Sequence, residues 1–256
     1  MKVGSLFAGI GGFDLGLERA GFEIAWQVEI DPYCQRVLAK HWPTVPRYGD
    51  IRAIDWATVP AVDVLCGGFP CQDISNLNTR GKGIGGEKSG LWREYEKAID
   101  RLRPKWILIE NTASIRSKGL WTVLHDLDAL GFDAEWHCIP ACAVGAPHVR
   151  DRAWIVAYPH GKRHQACLQA GNFRACYPQR KTMESARPSY GDFPTWNAPE
   201  PDLPRVVNGI PNRVDRNRAI GNAVVPQIAT FLGERILACE RDMHQMRNGK
   251  EESQEG

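Results

Sequence analysis

Four short segments carry side chains able to do chemistry. In Gly67-Gly68-Phe69-Pro70-Cys71-Gln72-Asp73-Ile74-Ser75 a cysteine follows a proline in a turn-forming loop, directly after an apolar run. A thiolate is a strong nucleophile, most of all where a helix N-terminus or a nearby cation lowers its pKa. A packing cysteine belongs inside an apolar run, so the loop setting favours a reactive role for Cys71. Glu110 ends the apolar run Lys105-Trp106-Ile107-Leu108-Ile109-Glu110, where an unpaired buried carboxylate would be costly, so it should meet a partner in a crevice. In His148-Val149-Arg150-Asp151-Arg152, extended backbone would put Arg150 and Arg152 on one face. A thiol, an acid and two cations around one cleft suit activation of an electron-poor heterocycle. The fourth segment, residues 5–21, places Gly9, Gly11 and Gly12 between a strand and a helix, where the backbone can turn tightly and approach a ligand. Twenty residues past Gly9 stands Glu29, placed to accept hydrogen bonds from both hydroxyls of a ribose. Asp50, in Tyr48-Gly49-Asp50-Ile51, is placed to hold an adenine amino group. No Lys or Arg follows the glycines as in a phosphate-binding loop, which favours an adenosine-type cofactor.

Those residues need elements to hold them. Residues 1–158 alternate short β-rich runs with helix-length amphipathic stretches, the pattern of a doubly wound parallel sheet. Strands are expected at 2–7, 23–29, 62–66, 106–110, 134–139 and 153–157, with a further one ending at Asp50. Helices are expected at 12–20, 32–41, 90–102 and 120–130, the second announced by Asp31 as cap and Pro32 at the first helical position. After Tyr158 the chain turns proline-rich and polar until helical character returns at about 227–240, and a polar tail that should fray begins at Arg241.

At 256 residues, with 43% hydrophobic and 24% charged residues, the composition is that of a globular protein and excludes collagen, coiled coil and disulfide miniature. No apolar run reaches the roughly 18 residues of a membrane helix, and glycines and Asp14 interrupt the N-terminus too early for a signal peptide. The chain is expected to be soluble and cytoplasmic. Net charge is only +2, but residues 159–218 hold ten Lys and Arg against five Asp and Glu, leaving the remainder mildly acidic. Such a block suits a polyanion surface and equally a solvated loop. The eight cysteines are expected to be free thiols. His160, His164, Cys167 and Cys176 fall close together, but no Cys-x-x-Cys pair accompanies them and no metal is expected.

The ordered set Phe7-Ala8-Gly9-Ile10-Gly11-Gly12, Gly49-Asp50-Ile51, Gly67 to Gln72, Ser89-Gly90-Leu91-Trp92, Glu110-Asn111-Thr112, Arg150-Asp151-Arg152 and Gly221 to Pro226 resembles the cytosine-C5 DNA methyltransferase family, over about residues 3–158 and 213–232. The resemblance implies an α/β fold, a doubly wound Rossmann-like methyltransferase sheet with a small inserted recognition domain. Residues 1–158 and 213–240 would form the catalytic domain, 159–212 the recognition region and 241–256 a flexible tail. It further implies a monomer that uses S-adenosyl-L-methionine to methylate C5 of a flipped cytosine in double-stranded DNA, in a restriction-modification, phage or orphan setting. By the same carry-over Cys71 adds to C6, Glu110 holds the N3 proton, Arg152 donates to O2, and Arg150 orients the thiolate or a nearby phosphate. The cofactor residues are Phe7, Ala8, Gly9, Gly11, Gly12, Glu29, Ile30, Asp50, Ile51, Pro70, Leu91, Asn222 and Ala223, with Ile51 and Leu91 on either side of the adenine. The loop 76–90 would close over DNA with Arg80, Lys82 and Lys88, and Arg163, Arg174 and Arg180 of the basic block would meet phosphates. The sequence departs from the family pattern at Thr112, where valine is usual, at His148 in place of glutamine, and at Ile30 in place of an aromatic residue.

Three other functions fit parts of the pattern. A nucleotide-cofactor oxidoreductase would use the glycine turn but leave Cys71, Glu110 and Arg152 without a task. A DNA-binding homologue without activity would not need those three residues. A transfer-RNA cytosine methyltransferase would carry the same motifs.

Overall fold

The computed structural model describes residues 1–70, 90–146, 148–161 and 213–252. β1 (Lys2–Leu6) leads through the glycine turn into α1 (Gly12–Arg19), and β2 (Glu23–Val28) leads into α2 (Pro32–His41). The Asp31 carboxylate caps α2, accepting from the N–H of Tyr33 at 2.8 Å and of Cys34 at 3.3 Å, with Pro32 at the first helical position. β3 is only Arg47–Tyr48, so Asp50 lies beyond it and caps a 3-10 turn at Ile51–Ala53 instead of ending a strand. Then come β4 (Val64–Gly67), α3 (Gly90–Leu102), β5 (Trp106–Thr112), α4 (Ile115–Lys118), α5 (Leu120–Ala129), β6 (Phe132–Pro140), β7 (Asp151–Pro159), α6 (Arg213–Asn222) and α7 (Pro226–Glu252).

Among the described residues, seven strands form one sheet in the order β3-β2-β1-β4-β5-β7-β6. The first five strands run parallel, but β7 is antiparallel to both β5 and β6. The doubly wound sheet expected from the sequence is thus parallel through β1 to β5 and mixed at the edge formed by β7 and β6. Only residues 141–150 join β6 to β7, fewer than the dozen or so that a parallel crossover requires, so the chain must turn straight back. Strand order reverses between β1 and β4, and there the C-terminal ends of the strands open a crevice. Because β7 is reversed, its first residues lie at the same end of the sheet as the last residues of β5.

Strand alternation divides the core in two. Val64, Cys66, Trp106, Leu108, Trp154 and Val156 cluster with Phe13 and Leu17 of α1 and Ile228 and Leu232 of α7. Leu65, Ile107, Ile109 and Ile155 cluster instead with Trp92, Tyr95 and Ile99 of α3 and Val123 and Leu127 of α5. Helices on both faces make the sheet doubly wound, and burial on both sides is why β4, β5 and β7 read as continuous apolar runs. The C-terminal helix is part of this scaffold: the Thr230 hydroxyl donates to the Gly16 carbonyl at 2.9 Å, and a Cβ at Gly16 would lie 2.4 Å from the Pro226 carbonyl oxygen.

Three local expectations change. α7 does not fray at Arg241 but continues to Glu252, through a stretch without proline that consists mainly of good helix formers. α6 occupies a stretch whose polar composition hides any apolar stripe and gives no sign of a helix. Cys34, Cys66, Cys138 and Cys142 are outside any disulfide, but Cys239 is disulfide-bonded. No helix among the described residues is long and apolar enough to cross a membrane.

Candidate active site

A cleft of about 920 Å³ opens where β1 to β5 end, and residues of α3, α6 and the start of β7 complete its walls. At its β1–β2 side the Glu29 carboxylate is held by two backbone donors, the N–H of Gly9 at 2.7 Å on Oε2 and that of Asp31 at 2.8 Å on Oε1. Each carboxylate oxygen retains a further lone pair, so this braced group can still accept from a pair of hydroxyls. Phe7 lines the cleft with φ at 50°, a left-handed conformation that is rare for a bulky side chain and clusters at functional sites. The Asp50 carboxylate is engaged by its neighbour Arg52, through an ion pair of 2.6 Å and the Arg52 N–H at 3.0 Å. These bonds from Arg52 hold the Asp50 carboxyl below its usual range.

On the β5–β7 side stands Glu110, only 7% exposed. Glu110 faces Trp154 across the strand pair and Thr112 faces Arg152, so Arg152 is a diagonal neighbour of Glu110 on the same face. Arg152 Nε meets Glu110 Oε1 at 3.1 Å, which answers the sequence's demand for a partner. Burial drives the Glu110 carboxyl up to about 7, against the opposing pull of Arg152 and Arg150. Such a carboxyl is near half-protonated at neutral pH and can share a proton with a ligand. Burial, with the like charge of Arg152, pushes the Arg150 guanidinium down, and its Nε is buried without a hydrogen-bond partner among the described residues. Asn111 ties the neighbouring wall together: its amide donates to the Phe69 carbonyl at 2.9 Å, and its own oxygen accepts from the Thr112 N–H at 2.8 Å. Gly68 leaves room for the acid, since a Cβ there would lie 2.9 Å from Glu110 Oε2.

Of the expected site residues, Phe7, Gly9, Glu29, Ile30, Asp50, Ile51, Pro70, Leu91, Glu110, Arg150, Arg152 and Asn222 all line this one cleft. Ala8, Gly11, Gly12 and Ala223 do not. Ala8 packs with Leu38 and Trp42, a Cβ on Gly11 would strike the Trp42 ring, and one on Gly12 would lie 2.5 Å from the Val224 carbonyl oxygen. These positions let the turn pack against α2 and the segment before α7. Cys71, Arg80, Lys82, Lys88, Arg163, Arg174 and Arg180 lie outside the described residues. The sequence motifs assign no individual role to Asn111, Gly68, Phe69 or Arg52. For the first three the only pointer is membership of the Gly67 to Gln72 and Glu110-Asn111-Thr112 motifs, and for Arg52 its spacing from Asp50.

Comparison with known proteins agrees with this arrangement. The family model for C-5 cytosine-specific DNA methylase matches residues 1–196. The chain is 36% identical over 165 residues to the Type II methyltransferase M2.BsuMI of Bacillus subtilis (strain 168), covering 61% of this chain and 42% of that protein. It is 34% identical over 162 residues to the Type II methyltransferase M.DsaV of Dactylococcopsis salina, covering 62% of this chain and 46% of that one. The chain thus matches less than half the length of either relative. In fold it is similar to a crystal structure of Spodoptera frugiperda DNMT2, with a TM-score of 0.54 and 20% identity over 63% of this chain and 50% of that one. Sheet order, cleft and sequence match lead to one assignment: the chain belongs to the C-5 cytosine-specific DNA methylase family.

Proposed function

We propose that this protein is a DNA cytosine-5 methyltransferase that takes S-adenosyl-L-methionine as cofactor and duplex DNA as substrate. The observation that carries the reading is Glu110: a buried carboxyl raised to about 7, paired with Arg152 at 3.1 Å, in the same cleft as the braced Glu29 carboxylate. The residues fit the cofactor. Glu29 would take the ribose hydroxyls, Ile51 and Leu91 the faces of the adenine, and Phe7 the adenine or the sulfonium side. Asp50 would accept the adenine amino group with whatever capacity its bond to Arg52 leaves. When bound, the cofactor supplies an electrophilic methyl group.

Cytosine C5 is a poor nucleophile, so the chain's own residues must first make the ring enamine-like. The Cys71 thiolate adds to C6, and its electron pair pushes density towards C5. Glu110 holds a proton at N3 and Arg152 donates to O2, both stabilising charge that builds on the base. The C5 so activated would take the methyl group, the cofactor leaving as a neutral thioether; loss of the C5 proton to a base, return of the N3 proton to Glu110 and expulsion of the Cys71 thiolate would then restore the aromatic ring. The target is inaccessible while stacked and must be flipped out. The basic residues Arg80, Lys82, Lys88, Arg163, Arg174 and Arg180 would meet the phosphates, and the chain would act as a monomer in the cytoplasm of a bacterial or phage-infected cell.

The test is methyl transfer from tritium-labelled S-adenosylmethionine to duplex DNA of mixed sequence, with transfer RNA as a second substrate. The expected result is label in DNA, none with Cys71→Ala, and a covalent complex trapped on 5-fluorocytosine DNA. Label in RNA alone would reassign the substrate, cofactor binding without label would leave a silent DNA-binding protein, and unimpaired transfer by Cys71→Ala would overturn the covalent route.

A further inference from the structure

The wall of the cleft that ends at Pro70 is packed from behind by α3 and α5. The Phe69 ring lies 5.2 Å from the ring of Trp92, which in turn is 5.6 Å from Tyr95; Phe69 and Trp92 are 2% exposed and Tyr95 is fully buried. The Trp92 indole N–H donates to Asp126 Oδ2 on α5 at 2.8 Å. The other oxygen of Asp126, a side chain only 14% exposed, has Nδ1 of the exposed His125 at 3.5 Å, and the Asp126 charge also acts on the half-buried Glu96 of α3. The order of contact is therefore Asp126 to Trp92 to Phe69, and from the Phe69 carbonyl to the Asn111 amide beside Glu110.

We propose that Asp126 is a positioning residue: by fixing the Trp92 indole N–H it sets the ring plane against which Phe69 packs, and through Phe69 the placement of the Gly68–Pro70 wall relative to Glu110. Three features support this. The indole N–H is the one polar handle on an otherwise apolar ring, so its partner decides which rotation of that ring is stable. The Asp126 acceptor comes from a different helix, which ties α5 to α3 where α3 enters the cleft at Gly90 and Leu91. The Phe69 carbonyl is already engaged by Asn111, so a shift of the ring transmits to the segment that also leaves space for the Glu110 carboxylate. Small displacements at such a wall have large kinetic effects, because a misplacement of about 1 Å can cost on the order of a hundredfold in rate.

As a statement about catalysis this rests on the proposed methyltransferase activity, so the test has two arms. In the kinetic arm, Asp126→Leu and Trp92→Phe should each lower kcat for methyl transfer by about tenfold, with the KM for S-adenosylmethionine held within about twofold. The double variant should be no worse than the poorer single one, as for two residues acting through one contact. Asp126→Asn keeps an acceptor oxygen and should restore most of kcat. In the second arm, read by NMR on the full chain without substrate, the Asn111 side-chain amide should exchange faster in Asp126→Leu than in wild type and recover in Asp126→Asn. Unfolding midpoints show whether each variant is folded. Additive kinetic losses, no rescue by Asp126→Asn, or an Asn111 signal indifferent to position 126 would overturn the proposal. Absence of methylation by the wild type would overturn the functional reading instead, and the Asn111 signal would still decide the structural link.

Discussion

A glutamate that is half-protonated near neutrality is useful to a reaction only if something keeps it that way, and here two opposed effects do. Burial raises the Glu110 carboxyl to about 7, while Arg152 and Arg150 pull it back and prevent it from becoming a permanently neutral acid. Gly68 and Asn111 complete the setting by leaving space beside the carboxylate and by bracing the facing backbone. Glu110→Gln keeps the shape and a donor but removes the exchangeable proton. It should lower kcat for methyl transfer by about 10²–10⁴, the usual worth of general acid assistance, with S-adenosylmethionine affinity unchanged in a binding titration. Weakened cofactor affinity with unchanged kcat would mean that the acid serves the cofactor and not the base. Glu110 is legible from sequence because a carboxylate that ends an apolar run must either find a cation or hold a proton. The Asp50–Arg52 pair is not, since a charge two residues away can as easily point into solvent.

At the scale of elements, most of the sheet could be read from alternation and from caps, and the misses have specific causes. Asp31-Pro32 located the start of α2, and the two-sided apolar runs located β4, β5 and β7. The reversal of β7 was hidden because direction depends on the length of the connection at 141–150 and not on the composition of the strand. The spacing of the glycine turn suggests that all of it faces a ligand, yet Gly9 lines the cleft while Gly11 and Gly12 serve close packing; spacing alone does not separate those uses. Gly16 makes the packing role testable. A Cβ there would sit 2.4 Å from the Pro226 carbonyl oxygen and 2.5 Å from the Ala229 Cβ, so α1 and α7 would have to part. Alanine is the better helix former by about 1 kcal/mol, but overpacking of a well-fitted contact typically costs about 1–3 kcal/mol. Gly16→Ala should therefore be neutral to destabilising by up to about 2 kcal/mol in urea unfolding. A clear gain in stability would show that the α1–α7 contact is loose.

For the molecule as a whole, the crevice end of the sheet carries charge that the fold has to bury. Glu110 is one such group, and Asp14 of α1 is another. Asp14 is fully buried, accepting from the Ser5 hydroxyl at 3.0 Å and from the Gln27 amide at 2.8 Å, so it joins β1, β2 and α1 beneath the glycine turn. Burial raises its carboxyl to about 6 despite those two hydrogen bonds, which favour the charged form. In the unfolded chain the same groups would titrate near 3.8 for Asp14 and 4.5 for Glu110. Between the unfolded and folded values the native state holds protons that the unfolded chain has released, so stability falls as pH rises. The stabilisation is complete below about pH 4 and is lost as pH climbs through about 6 for Asp14 and about 7 for Glu110. At about 1.4 kcal/mol per unit, each group accounts for roughly 3 kcal/mol across that window. Asp14→Asn isolates one of them, because the amide resembles the protonated acid in shape and does not titrate. Urea unfolding at a series of pH values should show the variant gaining on wild type by roughly 3 kcal/mol between about pH 4 and about pH 8, with most of the change on the acidic side of neutrality. A difference between the two proteins that stays flat over that range would mean that Asp14 ionises in the fold as readily as in the open chain, and that its bonds to Ser5 and Gln27 offset the cost of burial.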